Sequence, residues 1–265
     1  MNTNAKTTIS EGDKLANTNR QIAIKESKMK VTTPNLIRAA GLSAMVAGTI
    51  FAAIQPIHPP DVIASVTTSA FIIITSFKTV MSIFGLLGIT GLYARQVEEA
   101  GWLGLAGYLL LTTYFAVQMC ISFIEPTVLP LLTSVAPAFV ESALAMRSGI
   151  TGSMNLGALQ TVYSLASVLF LFGLVLFGIA TFRARILPRG AAALLAVSGP
   201  LAGIMFRLLP DQLDQLTGIP TGMALIWLGF ALFYKRSDKR RATEAKAIPG
   251  EEGLHAVNHE PGKAA

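Results

Sequence analysis

Six apolar stretches, at 36–55, 70–93, 102–124, 158–181, 188–206 and 219–234, take up most of this chain and constrain its fold more than any motif does. A helix of about 20 apolar residues covers the roughly 30 Å hydrocarbon core of a bilayer. Only a helix lets one segment satisfy its own backbone donors and acceptors where water is absent. The pattern predicts an all-α, polytopic transmembrane helix bundle of six spans. Composition agrees, with 52% hydrophobic and 14% charged residues among 265. The connections are short, so no separate soluble domain is expected. Residues 1–35 and 235–265, rich in Lys, Glu, Thr, Asn and Gly, read as disordered cytoplasmic tails flanking a membrane domain at 36–234.

Positive charge falls in alternate gaps. Arg20, Lys25, Lys28, Lys30 and Arg38 precede or open the first span, whereas the first loop has no Lys or Arg. The second loop has Arg95, the third only Arg147, the fourth Arg183, Arg185 and Arg189, and the fifth only Arg207 at its edge. Lys235, Arg236, Lys239, Arg240 and Arg241 follow the last span. Basic residues are retained on the cytoplasmic side, so both termini are expected there. The net charge of +6 is explained by lipid headgroups and topology, which leaves no case for a nucleic-acid partner. Asp61, Glu125, Glu141, Asp211 and Asp214 fall in the outer loops or at their rims, where they solubilise loops or form a weak cation-attracting vestibule.

The third loop contains an apolar segment at 128–146. Pro130, Pro137 and Glu141 argue against a further span, and a span there would invert the charge pattern on one side of it. An outer interfacial or re-entrant segment is expected instead. The first span is expected to be retained rather than cleaved as a signal, with Thr33 as helix cap and Pro34 in the first turn.

The inward-running second, fourth and sixth spans end alike, with Gly88, Gly178 and Gly229 each followed seven residues later by Arg95, Arg185 and Arg236. Snorkelling arginines at an interface explain the echo, and duplication of a two-span hairpin is the alternative. Gly85, Gly88 and Gly91 recur at the end of the second span, and Gly101, Gly104 and Gly107 at the start of the third. Small residues let membrane helices approach closely, so the two stripes are expected to meet each other. Gly199 and Pro200, midway along the fifth span, are candidates for a kink or hinge.

Charge inside a span is costly and tends to face the protein interior, and Lys78 is the one such residue. It lies about 12 Å along the helix from the apolar start of its span. It either snorkels outward or pairs with Glu125 at the outer end of the third span, with Gln118 one to two turns deeper. Lys78, Gln118 and Glu125 are therefore the candidate buried polar pair or pathway. His58 is in an outer loop and His255 and His259 are in the last tail, so axial haem ligation is excluded. His58 and Asp61 are too few ligands for a metal site and read as part of a proline-defined turn. Glu98-Glu99 lacks a His partner, the Ser148–Ser153 region lacks a base in a span, and phosphate and dinucleotide loops are missing. No catalytic residue, cofactor or metal is expected. The lone Cys120 reads as a small packing residue.

The run Gly91-Leu92-Tyr93-Ala94-Arg95-Gln96, the acidic pair, Gly101-Trp102-Leu103-Gly104 and Arg183-Ala184-Arg185-Ile186-Leu187-Pro188-Arg189 are similar to a broad group of uncharacterised multi-pass bacterial membrane proteins. The His58-Pro59 turn and the region from Pro137 to Glu141 extend the resemblance. It implies a bacterial plasma membrane and, since the group has no assigned activity, transfers no functional residue. Two non-enzymatic functions compete. Lys78, the alternative of a hairpin duplication and the Gly199-Pro200 site favour a carrier of a small solute or ion, while the scarcity of buried polar groups and the small-residue stripes favour a scaffold for a membrane-protein partner. A polar cavity reaching Lys78 would favour the first; a dry bundle would favour the second.

Overall fold

The computed structural model describes residues 17–18, 32–147, 150, 152–208 and 214–246. Helices α1 (Thr33–Ile54), α2 (Ile63–Val66), α3 (Ser69–Arg95), α4 (Val97–Thr127), α5 (Leu129–Leu132), α6 (Pro137–Arg147), α7 (Ala158–Ala184), α8 (Arg189–Leu208) and α9 (Ile219–Lys246) follow one another, with no strand among the described residues. The long helices are apolar around most of their circumference. On α3 the residues Ile73, Phe77, Val80, Ile83 and Leu87 point outward along one face, as lipid contact requires. The buried hydroxyls of Thr75 and Ser82 are satisfied by their own helix: Thr75 donates to the Phe71 carbonyl at 2.7 Å and Ser82 to that of Lys78 at 2.9 Å.

Among the described residues, five segments are long and apolar enough to cross a membrane, namely Thr33–Ile57, Ser69–Arg95, Val97–Thr127, Ala158–Ala184 and Leu216–Tyr234. The expected count of six is corrected to five. The segment that falls short is the expected fifth span, whose apolar part, Arg189–Ile204, is a shorter helix that opens on an arginine and a glycine.

Close backbone contacts fix the order of the bundle. Gly88 and Gly91 of α3 lie against Ala44 and Ala40 of α1, and Gly85 lies against Phe115 of α4. Gly107 of α4 abuts Phe177 of α7, and Gly173 of α7 abuts Leu111 of α4. Gly178 meets Ala196 of α8, and Gly199 approaches Leu171. Finally, Gly41 and Gly48 of α1 are matched against Gly229 and Gly222 of α9. Each pairing is antiparallel. Arg38 and the end of the apolar part of α9 therefore sit at one end of the bundle with Arg95 and Arg185, and α8 returns the chain toward the other end despite its shortness.

The two glycine stripes do not meet each other, which corrects that expectation. Gly88 faces α1, whereas Gly104 has Ala100, Ala180 and Tyr93 as its neighbours. Gly101 is not helical; its φ of 57° breaks α4 before Trp102, a conformation an L side chain rarely adopts. The echoed glycines share a structural cause, since Gly88, Gly178 and Gly229 each sit where another helix comes within backbone contact.

Segment 128–146 forms α5 and α6 rather than a span. With Val66 and Phe71, their Leu129, Val140, Ala143 and Leu144 build a small core of their own at the Glu125 end. Ser142 accepts a hydrogen bond from the Met154 backbone at 3.0 Å, closing the loop. Helix α9 runs on to Lys246, past the expected boundary at residue 234. The disorder expected of the tails otherwise falls at 1–31 and 247–265, which, apart from 17–18, lie outside the described residues.

Candidate functional site

The buried face of α3 carries small and polar residues, Thr75, Lys78, Ser82, Gly85 and Gly88, at spacings of three and four. That stripe turns Lys78 inward, where it is 7% exposed. On α4 the buried positions Leu111, Tyr114, Ile121, Ser122 and Glu125 make the facing stripe. Because α3 and α4 are antiparallel neighbours, Lys78 Nζ comes to 3.3 Å from Glu125 Oε2, and Glu125 is 1% exposed. Glu125 thus belongs to the bundle interior rather than to an acidic outer rim.

Beside the pair lies a cavity of about 240 Å³, lined by residues of four helices and the turn after α1. Lys78, Gln118 and Glu125 all line it, so the structure brings the three candidate residues to one place. Gln118 donates to Ser122 Oγ at 2.8 Å, which orients its amide along the helix. Part of the lining is aromatic. Tyr114 and Phe170 have ring centroids 4.5 Å apart, and Phe51 stacks on Phe170 at 6.0 Å. Gln55, Tyr163 and Ser167 add neutral polar groups. Lys78 and Glu125 are the only ionisable lysine, arginine, carboxylate or histidine among the lining residues, and their charges cancel. Gln55, Tyr114 and the Phe51–Phe170 wall were not singled out from sequence.

Gly199 and Pro200 lie on α8, which runs as a helix through Pro200, and they do not line the cavity. His58 Nδ1 is 2.7 Å from the Pro59 carbonyl. No group of three or more His, Cys, Asp or Glu residues suited to a metal occurs among the described residues. Cys120 faces outward, not into the packing as expected.

A second buried polar contact escaped the sequence reading. Gln96, fully buried in the turn between α3 and α4, donates to Thr181 Oγ1 at 2.7 Å and ties that turn to α7. Nearby, Arg38 stacks over Phe233 at 4.8 Å and Arg189 over Phe182 at 4.4 Å. These contacts hold the arginine end together and leave no cavity chemistry of their own.

No family model, curated protein or solved structure was found to match the chain.

Proposed function

We propose that this membrane protein carries a small solute or ion across a bacterial plasma membrane, with both termini cytoplasmic, and that it does so without catalysing a chemical step. One observation carries the reading: the largely apolar bundle keeps a buried ion pair, and a polar cavity opens onto it. Charge inside a bilayer is costly to retain and usually marks a path for a polar substrate. A cavity at the meeting of several helices, with one aromatic wall and a few convergent polar groups, has the form of a small-molecule site. The matching of Gly41 with Gly229, together with the basic residues at that end, supports the common cytoplasmic side of the termini.

The test is a shrink-swell assay of proteoliposomes challenged with small neutral, zwitterionic and ionic solutes. The wild-type chain should speed re-swelling for at least one class, and Lys78→Met should abolish the gain. Indifference to every class would favour the scaffold for a membrane-protein partner, for which the pair would be packing alone.

A further inference from the structure

We infer that the cavity beside Lys78 and Glu125 selects a small zwitterion with a short apolar side chain, and not a simple ion. The inference rests on the transport reading above and narrows its substrate class. The site's two formal charges cancel across 3.3 Å. A lone cation placed on Glu125 leaves the Lys78 ammonium facing a like charge in a poorly hydrated setting. A lone anion on Lys78 does the same to the carboxylate. A zwitterion avoids both penalties, because its ammonium can be received by Glu125 while its carboxylate is received by Lys78. The site stays neutral throughout.

Shape and lining add to the charge argument. The cavity volume of about 240 Å³ is enough for an amino-acid-sized solute. The neutral amide of Gln118 lines the same cavity and can bind either end of such a head group. Phe51, Tyr114 and Phe170 give the same cavity an apolar surface that a bare inorganic ion cannot use. Polar head toward the ion pair and hydrocarbon toward the rings is therefore the favoured orientation.

Isothermal titration of the full chain in nanodiscs tests this, with empty nanodiscs as the blank. The probes are alanine and leucine, and three fragments of leucine: isoamylamine without the carboxylate, isocaproate without the ammonium, and isocaproamide with neither charge. Leucine should bind at least about tenfold more tightly than each fragment, and the double variant Lys78→Met/Glu125→Gln should erase that preference. If the double variant does not fold, Gln118→Leu takes its place and should weaken leucine at least about threefold. A fragment that binds as tightly as leucine overturns the inference. So does the lack of saturable binding of alanine and leucine below about 10 mM. Leucine binding without solute movement in proteoliposomes would defeat the transport reading alone, whereas ion movement without leucine binding would defeat the zwitterion alone.

Discussion

Replacing Lys78 with methionine keeps an unbranched side chain one atom shorter and removes the charge, leaving Glu125 as a carboxylate that is 1% exposed. At the observed separation of 3.3 Å, two unit charges attract by about 5 kcal/mol at an effective dielectric constant of 20. Desolvating both groups on folding offsets most of that attraction, so the intact pair contributes little net stability. Removing one member is different, because the desolvation cost of the other persists. Losses for a broken buried pair run to about 3–5 kcal/mol. The adjoining cavity can hydrate a stranded group, which puts Lys78→Met and Glu125→Gln near the lower end, about 3 kcal/mol each. The double variant loses the attraction and both penalties together, and should fall short of the sum of the single losses by about 2 kcal/mol or more. Reversible unfolding of the wild type and the three variants in mixed micelles of a mild detergent and dodecyl sulfate reads all four corners of the cycle. Additive losses would refute the coupling, and an unchanged Lys78→Met would show that the ion pair contributes nothing.

Other substitutions separate close packing from open space. Leucine at Gly229, whose added Cβ would fall 2.6 Å from the Gly41 carbonyl oxygen, should cost about 1–3 kcal/mol in the same unfolding assay and lower the folded yield. Alanine at Gly203, which has no neighbouring atom within 4 Å of that position, should leave stability unchanged or raise it by up to about 1 kcal/mol. Gln96→Leu should cost about 1–2 kcal/mol by leaving the Thr181 hydroxyl without its donor, and adding Thr181→Val should restore part of the loss. In a Cys120→Ala background, cysteine at Ser153 should react with an impermeant thiol reagent from outside cells, and cysteine at Ser237 only after the membrane is opened. Equal labelling of both in intact cells would contradict the placement of the two positions on opposite sides of the membrane.

Most of the helix positions were legible in the sequence because bilayer thickness fixes the length of an apolar run. The expected starts at 36, 70, 158, 188 and 219 lie within a few residues of the observed helices, and the break at Gly101 restores the expected start at 102. The inward face of α3 was also written in its residues. In a bilayer the packing face is marked by small and polar side chains, and Thr75, Lys78, Ser82 and Gly85 share it. With α4 as the antiparallel neighbour, Glu125 is then the carboxylate at the right height.

The glycine stripes misled for a geometric reason. A step of three residues turns a helix by about 300°, so each glycine lies about 60° around from the last. Gly85 consequently meets α4 while Gly88 and Gly91 meet α1. A step of seven drifts only about 20°, so Gly41 with Gly48, and Gly222 with Gly229, each stay on one face. That spacing was the better signal for the α1 and α9 contact. The cavity itself was not readable in any one segment, since Phe51, Tyr114 and Phe170 come from three helices distant in the chain.

The central claim is that aqueous solutes reach the interior of this bundle beside the ion pair. Cysteine placed at Gln118 in a Cys120→Ala background, and treated with a small cationic methanethiosulfonate, tests it most directly, with cysteine at the outward-facing Phe172 as the lipid control. The Gln118 position should be modified from the aqueous phase at least about tenfold faster than the Phe172 position, because a thiolate forms readily only where water and polar groups surround it. Equal, slow modification at both positions would mean a dry interior and would refute a solute path through the bundle.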